Sequence, residues 1–246
     1  MNWQVVQAEI WLLLAGCAVL LLDLFSKDPG RRPTFWLTQA AVAVFAWMHL
    51  AGYQGGLTTY GMKGMVVVDA MGHLLAFFAA LSVMVTLAYA RPTLAARDML
   101  KGEFFTLTLF VLLGISVMCS ANHFLVVYLG LELMSLSLYA LTALRRDHAI
   151  STEAAMKYFV LGALASGFLL YGLSMMYGAT GTLEIPKAFE RIATGTINKE
   201  VLVTRSLITC TKSSNTISLC LNQAAILAGT RTHMRLNCWG DRKSVV

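Results

Sequence analysis

Six long apolar stretches, separated by short polar segments, run through the first 178 residues of the chain. Most of them reach the roughly 20 residues that a helix needs to cross about 30 Å of hydrocarbon, and the first and fourth are at the short end of that requirement. The pattern predicts six transmembrane helices, at residues 8–25, 34–52, 66–90, 103–119, 122–144 and 154–178. The predicted fold class is therefore an all-α, polytopic membrane protein.

Composition supports this prediction and excludes other classes. Hydrophobic residues make up 57% of the 246-residue chain and charged residues only 13%, about half the charged share of a soluble domain. Residues 1–178 contain ten Lys or Arg against nine Asp or Glu, so most of the net charge of +6 lies in the last 68 residues. The sequence shows no basic stripe of the kind that binds nucleic acid. Its five cysteines lack the spacing of a metal site or a disulfide framework.

The charges between the stretches predict the orientation of the chain. The second and fourth loops contain only one basic residue, Lys63, whereas the first, third and fifth loops contain Lys27, Arg31, Arg32, Arg91, Arg97, Lys101, Arg145 and Arg146. Because short loops rich in Lys and Arg stay on the cytoplasmic side, we expect the N-terminus to lie outside and helix five to run inwards. The fourth loop has only two or three residues, which predicts a tight antiparallel pair of helices four and five.

One carboxylate lies inside the fifth apolar stretch. Glu132 is roughly ten residues from either end of that stretch, which places it near the middle of the bilayer at about 1.5 Å per residue. A charged group there costs at least ~2.5 kcal/mol on insertion scales, and such residues are candidates for ion or proton transfer. The alternative is a neutral carboxyl group that serves only helix packing, because burial favours the protonated form. We favour proton transfer.

Lys157 is the only Lys or Arg within a predicted span. It lies about one turn into helix six from the basic side, where a long side chain can also extend to the membrane interface. Spacing alone leaves a functional role and an interfacial position equally open. Small residues four apart, Gly162 and Ser166, predict that the adjoining face of helix six packs closely against protein.

Asp69 and His73 are further candidates. They lie four residues apart in the third stretch and hence on one helix face. Because they are in the outer half of the span, an interfacial pair exposed to water is favoured over a proton relay. We expect His49 to be solvated at an outer helix end, and Glu9 and Asp23 to lie at the membrane interface.

A family resemblance rests on an acid, a loop and a lysine that occur in one register. These are contained in the runs Tyr128-Leu-Gly-Leu-Glu132-Leu-Met-Ser-Leu-Ser-Leu-Tyr139 and Arg145-Arg-Asp-His-Ala-Ile-Ser-Thr-Glu153-Ala-Ala-Met-Lys157. In this register the chain closely resembles the subunit N family of bacterial NADH-quinone oxidoreductase, respiratory complex I. The similarity is dense over residues 120–185 and extends from residue 1 to about residue 203.

The resemblance implies an antiporter-like subunit that translocates protons while partner subunits oxidise NADH and reduce quinone. It also implies that Glu132 faces the neighbouring subunit and that Lys157 is its partner in a central chain of lysines and glutamates. The chain itself would hold no cofactor. Its partners would be the lipid bilayer and the other membrane subunits of complex I, in the bacterial inner membrane.

The resemblance ends near Val203. The family continues with a seventh helix that bears another lysine, whereas residues 204–246 are polar and contain no apolar stretch long enough to span. We expect a membrane domain over residues 1–203 and a tail over 204–246 that is disordered or results from a truncated or frame-shifted gene.

Two alternative functions stay open from the sequence. A subunit of a cation/proton antiporter would share this fold and its ion-pair logic. A truncated chain could also be non-functional, because half of one repeat does not form a continuous ion path.

Overall fold

Six long helices make up most of the computed structural model, which describes residues 3–25, 31–56, 58–96, 101–145 and 148–194. They are α1 (Gln7–Phe25), α2 (Arg32–Gly55), α3 (Ala70–Ala95), α4 (Gly102–Cys119), α5 (Phe124–Thr142) and α6 (Ala149–Thr180). Each is long and apolar enough to cross a membrane, which confirms the six predicted transmembrane helices. A short helix, α7 (Ile185–Ala193), follows them, and single 3-10 turns lie at Trp3–Val6 and Met62–Gly64.

A small β-hairpin replaces the predicted start of the third span. Its antiparallel strands are β1 (Thr59–Gly61) and β2 (Val66–Val68). The prediction of a helix from residue 66 was wrong at this end, because three successive β-branched valines fit a strand better than a helix start. The helix begins after its N-cap residue, Asp69, and at its other end it continues through Pro92.

The sixth helix also begins earlier than predicted. It starts at Ala149 and has 32 residues, so the predicted start at residue 154 was wrong. The polar residues Ser151, Thr152 and Glu153 lie within the first turns of the helix instead of before it. Lys157 is consequently about two turns from the helix start.

The fourth helix is central to the bundle. It packs against α1, α2, α3 and α5. A larger share of its apolar segment is buried than in any of the other five long helices. Its side chains Phe105, Leu109 and Leu112 belong to the core together with Leu12 of α1 and Phe45 of α2. The sixth helix packs mainly on α5.

Two glycines determine how closely α4 and α5 approach. A Cβ atom placed on Gly114 would lie 2.7 Å from the carbonyl oxygen of Gly130, and one placed on Gly130 would lie 2.9 Å from that of Gly114. Any larger residue would therefore push the two backbones apart. The structure confirms the predicted tight antiparallel pair.

Three connecting segments are hydrogen-bonded to one another at one end of the bundle. Val67 N–H donates to the Ser120 carbonyl at 2.9 Å, and the Asn122 side-chain amide donates to the Gly64 carbonyl at 2.8 Å. Ile185 N–H, after α6, donates to the Asn122 carbonyl at 3.1 Å. The hairpin, the α4–α5 loop and the start of α7 therefore form one cap over this end, the end predicted to face outwards.

Basic residues make polar and cation–π contacts at the opposite end of the bundle. Arg31 forms an ion pair with Asp23, and Lys101 Nζ donates to the Leu144 carbonyl at 3.4 Å. The Arg91 guanidinium lies 4.6 Å from the centre of the Phe35 ring, within the range of a cation–π contact. Asp23 thus lies at a helix end, as expected for an interfacial residue. Which side of the membrane this end faces stays a prediction, as does the outward N-terminus.

The glycine contact predicts the effect of a single methyl group. We expect Gly114→Ala to lower the free energy of unfolding in mixed micelles by about 1–3 kcal/mol, the usual cost of overpacking. The matched control is Gly167→Ala on α6, where a Cβ would meet no atom within 4 Å and should add about 0.5–1 kcal/mol through helix propensity. Equal effects at the two positions would contradict the close approach.

Candidate functional site

Glu132 lies at the centre of α5 and contacts α6. The hydroxyl of Ser166 donates a hydrogen bond of 2.7 Å to Glu132 Oε2. Ser166 is only 4% exposed, and Glu132 is partly buried. The carboxyl group therefore interacts with a neighbouring helix at mid-span, where water is scarce and each polar contact carries more weight.

The small residues of α6 allow this contact. Gly162 lies one turn before Ser166, and any Cβ at Gly162 would overlap the hydroxyl of Tyr139 from α5. The Tyr139 ring also packs edge-on against Tyr158 and Phe159, with centroids 5.1 and 5.8 Å away. This face of α6 is packed against protein, as the sequence predicts.

Lys157 is not joined to Glu132 in the structure. Its Nζ atom lies 2.5 Å from Glu153 Oε1, and the two side chains are 71% and 65% exposed. Ser166 is nine positions after Lys157 in the sequence, which corresponds to about 13 Å along the helix axis. Lys157 pairs instead with the acid four residues earlier on its own helix, and the partnership with Glu132 that the family resemblance implies stays a prediction.

Tyr139 is a polar residue that the sequence analysis missed. Its hydroxyl lies against Gly162, and Gly162 is between Lys157 and Ser166 on α6. The signal was present in the sequence, because Tyr139 follows Glu132 by seven residues and two helical turns return to the same face. A hydroxyl group therefore occupies part of the gap between the two candidate residues.

The predicted pairing of Asp69 with His73 does not form. Asp69 is exposed and caps α3 without a side-chain hydrogen bond, and only its carbonyl accepts from His73 N–H, at 3.0 Å. The His73 ring instead faces α2, where its Nδ1 lies 3.0 Å from Nδ1 of His49. The interpretation as an exposed pair on one helix is replaced by a contact between two helices.

One further expectation was wrong. His49 was expected to be solvated but is only 6% exposed, and Glu9, expected at the membrane interface, is equally buried within the protein. Ser116 of α4 donates a hydrogen bond of 3.0 Å to Glu9 Oε1. His49 is buried because α2 continues past it to Gly55, and both residues line a cavity to which the hairpin contributes Thr59, Val67 and Val68. In the part of the chain that the structure describes, no three His, Cys, Asp or Glu residues form a metal site.

Comparison with known proteins identifies the family. The chain is 54% identical over 204 residues to NADH-quinone oxidoreductase subunit N of Polaromonas naphthalenivorans, which covers 82% of this chain and 41% of the relative. It is 54% identical over 199 residues to the subunit N of Herminiimonas arsenicoxydans, covering 79% and 40%. The matched part of the chain belongs to the subunit N family. The chain thus spans about two fifths of the length of these relatives.

Solved structures and a family profile agree with this assignment to subunit N. A chain of respiratory complex I from Thermus thermophilus with bound aureothin matches with a TM-score of 0.59 and 29% identity, over 72% of this chain and 38% of that one. The profile described as NADH:quinone oxidoreductase/Mrp antiporter, TM, matches residues 121–229. The six apolar helices thus adopt an antiporter-like fold, and the chain is a multi-pass protein of the bacterial inner membrane.

The matched range bears on the predicted boundary at residue 203. The family profile continues past it, to residue 229. The tail predicted over residues 204–246 lies outside the described residues, so its separation from a membrane domain over 1–203 stays a prediction.

The contact between Glu132 and Ser166 should be measurable as a coupling energy. In a double-mutant cycle with Glu132→Ala and Ser166→Ala, we expect a coupling of about 0.5–1.7 kcal/mol in the free energy of unfolding, the range of polar contacts between membrane helices. Ser174, exposed on the same helix, is the matched control. Ser174→Ala should be additive with Glu132→Ala, and a coupling as large there would contradict a specific bond.

Proposed function

We propose that this chain is the N-terminal part of a membrane subunit that translocates protons within an NADH-quinone oxidoreductase. The observation that carries the proposal is the place of Glu132. It lies at mid-span of an apolar helix, in the register of the family motif, with the Ser166 hydroxyl 2.7 Å from its carboxyl group. An ionisable group is costly at that depth, and its retention is best explained by proton transfer.

Ser166 supports both protonation states of Glu132. A hydroxyl group can donate one hydrogen bond and accept two. It donates to the carboxylate when Glu132 is ionised, and after rotation it can accept from the carboxylic acid when Glu132 is protonated. The bond therefore holds the group in place without fixing its charge, which a group that repeatedly gains and loses a proton requires.

Transfer between Glu132 and Lys157 would proceed through intermediates. The two residues do not touch, and the Tyr139 hydroxyl lies against α6 between them. Hydroxyl groups and water can pass a proton by exchanging donor and acceptor roles. We infer a path from Glu132 through Ser166, Tyr139 and water towards Lys157, whose ion pair with Glu153 would respond to the arriving charge.

The energy for this transfer would come from partner subunits. The proposal assigns NADH oxidation and quinone reduction to the rest of the complex, and it assigns no cofactor to this chain. The other membrane subunits would be its neighbours in the bilayer.

A cation/proton antiporter subunit is the second candidate function. The observation that favours it is the family profile, whose description names the Mrp antiporter beside the oxidoreductase. The two functions differ in their driving force, which is NADH oxidation in the first and a sodium or potassium gradient in the second.

Replacement of Glu132 tests the proposed function. In membrane vesicles of the bacterium that carries this gene, we expect Glu132→Gln to lower NADH-driven proton uptake several-fold, because the amide keeps an acceptor for Ser166 but cannot release a proton. Proton uptake is measured by quenching of a pH-sensitive dye. The matched control is Glu190→Gln, which removes an exposed carboxylate from α7 and should have a smaller effect.

Proton uptake driven by a sodium pulse without NADH, and lost in Glu132→Gln, would favour the antiporter. Full NADH-driven uptake in Glu132→Gln would contradict a role of this carboxyl group.

Tyr139→Phe tests the intermediate step. The substitution keeps the ring contacts and removes only the hydroxyl, so we expect slower proton uptake with little change in the amount of assembled protein. Tyr171→Phe, at an exposed position on α6, is the matched control. An unchanged rate in Tyr139→Phe would show that the path bypasses this residue.

A further inference from the structure

A second polar site lies beside the hairpin, and no described residue of α5 or α6 lines it. A cavity of about 210 Å³ opens between the ends of α1, α2, α3 and α4. Its polar lining includes Glu9, His49, His73, Ser116 and Cys119. A single water molecule needs about 30 Å³, so the cavity has room for several.

The two histidines form a pair that can accept a proton. Their Nδ1 atoms are 3.0 Å apart, so one ring must donate from Nδ1 while the other accepts. The donating ring then has an unprotonated Nε2 in the neutral pair. A proton added at that Nε2 makes the ring cationic and keeps the bond between the two Nδ1 atoms, which becomes charge-assisted.

Close helix packing holds this pair together. Gly52 lies one turn beyond His49 on α2, and a Cβ there would lie 2.5 Å from Cε1 of His73. The ring of His73 therefore occupies space that only a glycine leaves free. The pair is a built feature of the α2–α3 interface and not a chance contact of two mobile side chains.

Two buried polar atoms in the cavity wall have no hydrogen-bond partner in the described part of the chain. They are Nε2 of His49 and Oε2 of Glu9, and both residues are 94% buried, being 6% exposed. Buried polar atoms in native proteins are almost always hydrogen-bonded to protein or to ordered water. Both residues line the cavity, which therefore brings the histidine pair and a carboxyl group to one polar space.

Few other ionisable groups face the pair. From α1 the cavity receives Glu9, and from α4 it receives Cys119 beside the hydroxyls of Ser116 and Ser120. The hairpin contributes Thr59, Val67 and Val68, which carry no charge. Asp69 is one turn from His73 but is exposed and outside the cavity lining. Glu9 is therefore the only carboxylate among the described residues that line the cavity.

We propose that this cavity is a hydrated proton-binding site in which the His49–His73 pair binds one additional proton and Glu9 supplies the balancing negative charge. The site is separate from Glu132 and does not depend on the function proposed for it. In the predicted orientation of the chain, the end with the hairpin faces outwards, so protons would reach the cavity from the outer side of the membrane.

Hydration can be tested with native residues of the cavity. In the full chain in lipid nanodiscs, with Cys210, Cys220 and Cys238 replaced by Ser, a charged thiosulfonate reagent should modify Cys119. The rate should be on the order of tenfold higher than at Cys17, because thiols react as thiolates, which need water. Cys17 is exposed on α1 but does not line the cavity. Equal rates at the two cysteines would overturn the hydrated cavity.

Proton binding can be followed by ¹⁵N nuclear magnetic resonance of the imidazole nitrogens, assigned with His49→Gln and His73→Gln. We expect His49 and His73 to titrate together as the pH is lowered, because the pair shares one added proton. Glu9→Gln should lower the midpoint by about one pH unit, which is tenfold weaker proton binding, because the balancing charge is lost. Glu153→Gln, outside the cavity, should leave the midpoint unchanged. Rings that both stay neutral down to the lowest pH at which the chain remains folded, or a midpoint that Glu9→Gln does not change, would overturn the proposal.

Discussion

The close approach of α4 and α5 at Gly114 and Gly130 is the constraint on which the rest of the structure depends. Helix α4 contacts four other helices, so its position fixes theirs. On one side it aligns α5, whose carboxyl group at Glu132 then meets α6. On another side it presents Ser116 to Glu9 of α1. Both polar sites are thus attached to one pair of helices, and a shift at the glycines would alter both.

Polar side chains within the helices fall into two groups, and only one of them suggests function. Many hydroxyls bond back to their own helix, as Thr38 does to the carbonyl of Thr34 and Thr108 to that of Phe104. Such bonds satisfy a polar group inside the bilayer and specify nothing else. Glu132 and Glu9 instead bond to hydroxyls of neighbouring helices. A carboxyl group that depends on another helix for its hydrogen bond costs more to bury than an apolar residue at the same position. Its presence therefore suggests that the protein uses its charge.

The sequence predicts local features well and contacts between helices poorly. The six spans follow from length and hydropathy, and Glu132 stands out because a charge is rare at that depth. The pair of Lys157 with Glu153 was also accessible, since it needs only a spacing of four on one helix. The contact of Glu9 with Ser116 joins residues 107 positions apart, and that of His49 with His73 joins residues 24 apart. No periodicity encodes such contacts, which exist only once α1 to α4 have packed.

The separation of Glu132 from Lys157 changes how the family motif should be interpreted. Their shared register suggests an ion pair, but α6 extends about 13 Å between Lys157 and Ser166, and the Tyr139 hydroxyl lies against Gly162 in that interval. A direct pair would hold both charges in one stable arrangement, and moving a proton would require breaking it. The proposed link through hydroxyls and water would avoid that barrier. Each can bind its own local partner, Ser166 or Glu153, and transfer then depends on how the intervening hydroxyls rotate.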